Sequence, residues 1–541
     1  MNKVAQYLNE HIVGEATSLK SVRKKFSQDG GLLEITPEIV VFPKATNDIR
    51  KVARFTWQLA EKGHIVGITT RGYGNDTTGA AIGKGIVINT SAHLNDIIHI
   101  GLKERLVHLQ SGADLQTVTK VLNWQGLRLA YNPELNSHAT IGGALGNNAS
   151  GLFDVVGSAV KKLEVVLANG DLIETSRISK RDVNKKKGLQ TLEGEIYRQI
   201  DGIIEDNSEL IEAIAKDPTT DHTGYRSIAK VREKDGSIDL TQLIVGSQGT
   251  LGIISEAVLQ ADFYSKDRAV AVGVVGSKEL ARDIADALRA LQPTILEMYD
   301  GELFTQASAQ GTPFKVLESS ETTLENGSLI YVFFNDFSDR AQKHKLKKVS
   351  KIFAKNNITM LSTDDGNLLE LENIRRVGSA IELTLGENDA LPPVIDGAFI
   401  PADRHEEFSI ALKELATKVH LNLPIKTNLL DNTINVYPSL KLSEVSDKQR
   451  LFKLMNEYAA LVDKVDGAFV AENGEGRLKA AAAWERIDAE TAELYEKVRK
   501  AFDPYGTLNP GVKQPVDIKS VVGSLRHSFD NADRYDRGFV R

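Results

Sequence analysis

The chain has 541 residues, with 66 Lys and Arg against 73 Asp and Glu (formal net charge −7), 41% hydrophobic side chains and no cysteine. At about 150 residues per domain the length suggests roughly three to four domain-sized units, and the apolar content rules out wholesale disorder. A mildly acidic chain lacks the basic face that nucleic acid requires, and zero cysteine excludes disulfides, thiolate nucleophiles, thiolate metal sites and any cysteinyl-linked cofactor.

The first twenty residues mix Asn, Glu and His with scattered apolar side chains, without the apolar stretch of a signal peptide. No run approaches the ~18 apolar residues of a membrane span; residues 269–276 are among the longest and are strand-sized. The expectation is a cytoplasmic protein without a transmembrane segment, with peripheral membrane contact left open. Residues 39–42 read as a buried strand closed by Pro43. Thr46 or Asn47 then caps a helix with Ile49, Val52, Ala53, Thr56, Leu59 and Ala60 on one face. Strands follow at 65–70 and 85–90, so the glycine-rich stretch between them joins two strands. Further strands are expected at 106–110 and 163–167 with a helix at 115–125 between them, and Asn169-Gly170-Asp171 signals a hairpin. Residues 177–240 read as charged and irregular, with Lys185–Lys187 a solvated surface insertion. Strand-then-helix pairs at 269–275 and 278–291, at 329–334 and 340–356, and at 398–400 and 403–420 predict an α+β second domain with an antiparallel sheet. The change of texture near residue 262 sets the boundaries 1–262, 263–500 and 501–541, the tail after Pro515 being a loosely attached arm.

Three glycine-rich segments require a cause: residues 71–79, 140–151 and 246–256. Glycine lets backbone N–H groups reach a pyrophosphate without an intervening side chain, although a single such loop is equally a turn. Gly79-Ala-Ala-Ile-Gly83-Lys84 is one residue short of a P-loop and continues with Gly85 in place of Ser or Thr; Gly72-x-Gly74 and Gly474-x-Gly476 lack the third glycine of a dinucleotide fingerprint. Neither nicotinamide nor nucleoside triphosphate binding is supported.

Together, residues 43–95, 140–151 and 246–256 resemble the FAD-binding domain of the vanillyl-alcohol oxidase/p-cresol methylhydroxylase (PCMH-type) superfamily, and within it the FAD-linked D-2-hydroxyacid dehydrogenases, the D-lactate dehydrogenase and glycolate-oxidase-subunit group. The resemblance runs from about residue 29 to 513 and includes Ala501-Phe-Asp-Pro-Tyr-Gly-Thr-Leu-Asn-Pro-Gly511, similar to that group's closing motif. It implies an α+β fold: an FAD-binding domain of two α/β subdomains over 1–262, an α+β cap over 263–500 that receives the substrate, and a return of 501–541 to the first domain. It implies that Arg71, Gly72, Tyr73, Gly74, Asn75, Asp76, Thr77 and Thr78 wrap the pyrophosphate. Thr140, Gly142, Gly143, Asn147 and Gly151 then line the ribityl and isoalloxazine region, with Gly252, Ile253 and Ile254 near the adenine side. Asn75 stands where an attaching histidine sits in some relatives, so FAD is expected to be non-covalent. The implied partners are a small-molecule substrate and an external electron acceptor: oxygen, a quinone or a protein.

The catalytic segments depart from the family. Its carboxylate-binding arginine falls on Arg375, with Arg376 able to trade places. Where relatives carry G-H-x-x-D-G-N-x-H and G-E-H-G-x-G, this chain has 427–435 and 471–476, so three metal-binding histidines become Asn428, Asn435 and Asn473 and Glu472 alone persists. An asparagine is a weak neutral ligand and no base near neutral pH, so no metal is expected. Glu472, Glu475 and Tyr437 are the remaining candidates for the base, two neighbouring carboxylates being able to raise one another's pKa. Two alternatives stay open: an enzyme with another base or a sugar or polyol substrate, and a catalytically silent flavin-binding subunit of a larger complex. Of the scattered histidines only His138, just ahead of Thr140, is placed to approach the flavin.

Overall fold

The structure, a computed structural model, describes residues 3–526 apart from 130, 132–138, 152–153, 266–267, 310–313, 315–316, 318–326, 337, 363–367, 379–380, 382–388, 391 and 443; His138 lies outside the described residues. The chain forms two compact units, Met1–Phe263 with Val470–Arg526, and Tyr264–Phe469.

Unit 1 contains two sheets. The first has the order β1(Glu15–Thr17)-β2(Ile39–Phe42)-β4(Ile86–Asn89)-β3(Ile68–Arg71). β2 and β3 both run parallel to β4, with Ile39 and Ile68 each opposite Ile86. Every β4 residue is buried, as a parallel strand covered on both faces requires. The helix Thr46–Ala60 buries Ile49, Val52, Ala53, Thr56 and Ala60, while Leu59 stays half-buried. Neither Thr46 nor Asn47 caps it. The N-cap is Ala45, without a side-chain bond, and buried Asp48 in the first turn accepts instead from the amides of Val13 (2.8 Å), Gly14 (2.9 Å) and Lys44 (2.9 Å). A carboxylate there also meets the positive end of the helix dipole.

The second sheet is antiparallel, in the order β5(Ile97–Gly101)-β6(Leu106–Gln110)-β10(Ile253–Phe263)-β8(Val160–Val166)-β9(Leu172–Thr175), with β7(Leu127–Leu129) also on β10. The hairpin between β8 and β9 is as expected: Gly170 has φ +83° and the Asp171 amide donates to Asn169 Oδ1 at 2.9 Å.

Residues 177–240 are irregular only in part, chiefly beyond residue 216, where the one described helical element is the 3-10 turn Arg226–Lys230. They carry the helices Lys180–Lys187, Leu192–Asp206 and Ser208–Lys216, and Ile196, Tyr197, Ile200 and Ile204 enter the core shared with β6, β8 and β10. The three lysines mark only the end of the first helix, where cations oppose its dipole; Lys187 pairs with Asp201 and Lys186 with Glu193.

The chain re-enters unit 1 at Val470, ahead of the boundary expected at 500, because the helix Ala489–Phe502 buries Leu494, Tyr495, Val498 and Phe502 in that same core. The closing motif then adds to β3: Ile68 N donates to Thr507 O and Asn509 N to Ile68 O, both at 2.7 Å. The segment after Pro515 is not a loose arm as far as Arg526. It forms the helix Ile518–Gly523 and a bridge between Leu525 and Leu33.

Unit 2 has the expected antiparallel sheet, from β11(Ala269–Val275), β12(Ile295–Asp300), β13(Ser328–Phe334), β14(Met360–Ser362), β16(Ala398–Phe399), β17(Ile425–Asn428) and β18(Thr433–Val436), ordered β14-β11-β13-β12-β17-β18-β16; β15(Asp389–Ala390) pairs separately with β19(Leu440–Lys441). The helices Lys278–Arg289 and Asp339–Lys355 bury Ile284, Leu288, Leu346, Val349 and Phe353 against β11, β12 and β13. Both units thus combine helices and sheets in the α+β manner.

Candidate cofactor-binding site

In unit 1 a cleft of about 290 Å³ opens beyond the carboxyl ends of β3, β4 and β6, which contribute Thr70 and Arg71, Thr90, and Ser111. The carboxyl ends of parallel strands are where α/β sheets take ligands, because the chain turns away there and leaves backbone exposed. Three glycine-rich loops supply most of the remaining walls, together with Tyr131 and Asn473.

A buried glutamine ties these loops together. Gln248 Nε2 lies 3.2 Å from Thr78 Oγ1, 3.1 Å from Asn147 Oδ1 and 3.0 Å from the Asn473 carbonyl, and its Oε1 accepts from Gly476 N at 3.0 Å. Asp76 organises the first loop in a similar way. It accepts from the amides of Thr78 (3.0 Å) and Ala80 (2.8 Å), and Asn147 Nδ2 reaches it from the second loop at 2.9 Å. Arg71 sends its guanidinium to the Gln28 carbonyl (2.9 Å) and lies over the Phe26 ring. Gly74, at φ +80°, must be glycine: a Cβ there would sit 1.7 Å from Arg71 Nη2.

Two other glycines are open for a different reason. A Cβ on Gly143 would meet only the Thr140 hydroxyl, at 3.1 Å, and one on Gly146 only the Gln248 Cα, at 4.0 Å. Both line the cleft, so a side chain there would occupy the cleft and not the protein. Ser111 Oγ is buried on the same wall and has no hydrogen-bond partner among the described residues. The cleft therefore offers space and an unsatisfied polar atom to a flat, polar occupant.

Of the residues read from the sequence, Arg71 to Thr77, Thr140, Gly142, Gly143, Asn147, Gly252 and Ile254 line this cleft. Thr78 is buried behind it, giving its hydroxyl to Asp76. Ile253 faces the opposite way, into the core with Ile68 and Ile86, because neighbours on a strand alternate. Gly151 binds Asp154 O through its amide and is not on the wall. Sequence reading missed Ser247, Gln248 and Gly249, although they lie within a segment it singled out, and Ser111, which carried no signal.

Burial and Asp114 nearby raise the Tyr73 phenol above its usual value. Below the first loop, Asp29 is fully buried. Burial and the neighbouring Asp76 carboxylate push it up to about 7, against the opposing pull of the Gly31 amide, Arg526 and Arg71.

The catalytic candidates fall in different places. Glu475 is wholly buried and does not line the cleft; it accepts from Lys513 Nζ (3.0 Å), Gly224 N (3.0 Å) and Trp484 Nε1 (3.3 Å). Lys513 completes its own bonds with the carbonyls of His222 (2.7 Å) and Gly224 (2.9 Å). Glu475 is thereby one half of a buried ion pair, an arrangement that holds a fold together and leaves no carboxylate turned to the cleft. Glu472 is half-buried, next to the cleft-lining Asn473. Asn473, Gly474 and Gly476 all adopt positive φ, which Asn tolerates well.

Arg375 and Tyr437 belong to unit 2. Arg375 grips Glu297 with both arms, Nε to Oε2 at 2.8 Å and Nη2 to Oε1 at 2.9 Å, and Lys426 Nζ lies 3.1 Å from the same carboxylate. Burial alone would raise Glu297, but Lys426 and Arg375 outweigh it and hold the carboxyl well below its usual range. Tyr437 packs against Gly378, where a Cβ would come 2.7 Å from its ring. The asparagines expected to replace metal-binding histidines are engaged in hydrogen bonds within unit 2. Asn428 donates to Asp431 (2.7 Å) and accepts from Leu430 N (3.0 Å), while Asn435 accepts from Gly397 N (2.8 Å). Among the described residues no group of three or more His, Asp or Glu is placed to hold a metal ion, and no helix is long and apolar enough to cross a membrane.

Comparison with known proteins gives consistent matches. The family model described as "FAD binding domain" matches residues 37–176, and "FAD linked oxidases, C-terminal domain" matches residues 265–512. D-2-hydroxyglutarate dehydrogenase of Pantoea ananatis is 23% identical over 96% of this chain and 52% of its own length. The glycolate oxidase subunit GlcD of Bacillus subtilis is 22% identical over 91% of this chain and 92% of its own. The chain thus spans about half the length of the D-2-hydroxyglutarate dehydrogenases it matches. In fold it is like the solved structure of p-cresol methylhydroxylase with substrate bound, at a TM-score of 0.68 and 13% identity, covering 96% of this chain and 97% of that one.

Proposed function

We propose, from the premise that this chain belongs to the FAD-linked oxidases and carries both their FAD-binding and their C-terminal domains, that it oxidises the CH–OH carbon of a D-lactate-like 2-hydroxy acid. The observation that carries this reading is the convergence of three glycine loops on Gln248 around a cleft in which Gly143 and Gly146 present open space.

In this reading Arg71, Gly72, Tyr73, Gly74, Asn75, Asp76 and Thr77 enclose the pyrophosphate of FAD. Thr140, Gly142, Gly143 and Asn147 serve its ribityl and ring portion, Gly252 and Ile254 its adenine side, and Ser111 Oγ gains a partner. Asn75 and the lack of cysteine support non-covalent binding. When bound, FAD supplies the acceptor for the hydride that leaves the substrate carbon.

The chain's own residues would orient the acid and receive the hydroxyl proton. Arg375, which flanks Glu297 together with Lys426 at a nearly buried locus, is the candidate to meet a substrate carboxylate. Glu472 and Tyr437 are the candidates to receive the proton; Glu475, committed to Lys513, is assigned to the fold. Oxygen, a quinone or a protein partner would reoxidise the enzyme.

A second reading, a neutral sugar or polyol, is favoured by one observation: Glu297 already fills the fork of Arg375. Anaerobic mixing of the FAD-loaded protein with D-lactate, glycolate, D-2-hydroxyglutarate and a set of sugars separates the two. Loss of visible flavin absorbance with a hydroxy acid supports the first, loss with a sugar alone supports the second, and no loss with any of them shifts weight to a silent flavin-binding chain.

A further inference from the structure

The segment Phe26–Glu34 lies between the first glycine loop and the C-terminal helix, and it touches both through backbone. On the loop side the fit leaves no room for side chains: a Cβ on Gly31 would lie 2.1 Å from the Thr77 carbonyl oxygen, and one on Gly30 would lie 2.7 Å from that of Asn75. From within the loop, Arg71 holds the carbonyl of Gln28 at 2.9 Å. On the other side Glu34 N donates to Ser524 O at 2.7 Å and Arg526 N to Leu32 O at 3.0 Å. The buried Arg526 guanidinium bonds the carbonyls of Asp29 and Leu33. Asp517 caps the helix Ile518–Gly523 by accepting from Lys519 N at 2.9 Å, and Val521 anchors that helix in the protein.

These contacts form a continuous chain from the C-terminal helix to the carbonyls of Asn75 and Thr77. We propose that residues 517–526 act as a clasp for the first glycine loop, with Arg526 as a positioning residue that holds Asp29–Glu34 against it and so sets the affinity for the dinucleotide. This rests on the reading that the cleft takes FAD. The physical basis is pre-organisation. A loop that binds through backbone groups loses affinity by the fraction of time it spends in other conformations, and here the loop's own glycines provide no rigidity. Besides the bonds of Asp76 and Gln248, rigidity is supplied from outside, by a segment that is itself held by a guanidinium on two carbonyls. No residue of the clasp lines the cleft.

The test uses the full chain, freed of flavin and titrated with FAD by calorimetry, together with amide hydrogen exchange. In the wild type, FAD should slow exchange at Glu34 and Arg526, the amides that join the clasp to residues 32–34, as well as at residues 75–78. Arg526→Ala should weaken FAD binding by at least roughly tenfold, the loss expected when charge-assisted hydrogen bonds are removed, and should speed exchange at 75–78 while β11 in unit 2 exchanges as before. Arg526→Lys, which keeps a cation within reach of a carbonyl, should restore most of the affinity. A purely structural lesion would show no such rescue. A folded Arg526→Ala with wild-type affinity overturns the proposal. So does a wild type in which FAD binds but leaves Glu34 and Arg526 exchange unchanged, a result available even if the alanine variant does not fold. Failure of the wild type to bind FAD would instead overturn the reading of the cleft.

Discussion

Glu475 shows how a single residue's surroundings decide its role. Two carboxylates in one glycine-rich turn suggest a tuned base, yet a buried carboxylate bonded to Lys513, Gly224 N and Trp484 contributes most by satisfying its partners. Removing one member of such a pair leaves an uncompensated buried charge, at a cost of about 3–5 kcal/mol. Glu475→Gln should accordingly lower the unfolding free energy obtained from urea titration by that order. If Glu475 were the base, the same substitution would leave stability near wild type and abolish turnover. The asparagines follow the same logic: Asn428 is bonded within its own turn, to Asp431 and Leu430 N, and Asn435 accepts from the distant Gly397 N, so their amides hold local structure. This outcome was half legible. The asparagines themselves are plain in the sequence, whereas the bonds they make depend on Asp431 and Gly397, to which no motif points.

Single elements explain where pattern reading succeeded and where it failed. The strand β11 and its neighbour β13 are uninterrupted apolar runs and were found almost to the residue. The helix Leu192–Asp206 was missed because the lysines before it drew attention from its spacing: Leu192, Ile196, Ile200 and Ile203 recur at helical intervals. Ile200 is fully buried in the main core of unit 1. Ile200→Ala should cost about 2–5 kcal/mol as a core truncation, read from denaturant unfolding; a cost below about 0.5 kcal/mol, typical of surface sites, would return this region to the surface.

The buried segment around Asp29 carries a pH signature. Its carboxyl is raised to about 7 by burial and by Asp76, and the charged groups facing it are Asp76, Arg71, Arg526 and, at longer range, Arg477. A carboxyl raised in the folded state holds its proton there while the unfolded chain has lost it. Its contribution is therefore full below the unfolded value near 3.8 and is lost as pH rises through about 7. Wild type should lose stability relative to Asp29→Asn between about pH 4 and 7, as measured by thermal unfolding at each pH. A difference that is flat, or a wild type that gains on the variant as pH rises, contradicts the assignment.

At the scale of the molecule, the sequence revealed which segments matter but not which of them meet. The glycine loops, the change of texture near 262 and the closing motif are local patterns. The convergence of Gln248 with Asn147 and Asn473 is not local, and neither is the reach of Asn509 Nδ2 to the carbonyls of Ala80 (2.9 Å) and Gln248 (2.7 Å), so no periodicity encodes either. Re-entry of the chain at Val470, and the docking of Leu525 and Arg526 on Leu33 and Asp29, are further long-range pairings of this kind.

The cleft itself is tested most directly by filling it. Gly143 sits on its wall, and the Cβ of Gly143→Leu would have the Thr140 hydroxyl, at 3.1 Å, as its one near neighbour, so the side chain enters the cleft. The measurement is flavin stoichiometry after incubation with excess FAD and removal of the unbound cofactor. The account predicts one FAD per chain in the wild type, released on denaturation, and none in Gly143→Leu at an unchanged unfolding temperature. Equal loading of the two proteins would contradict it.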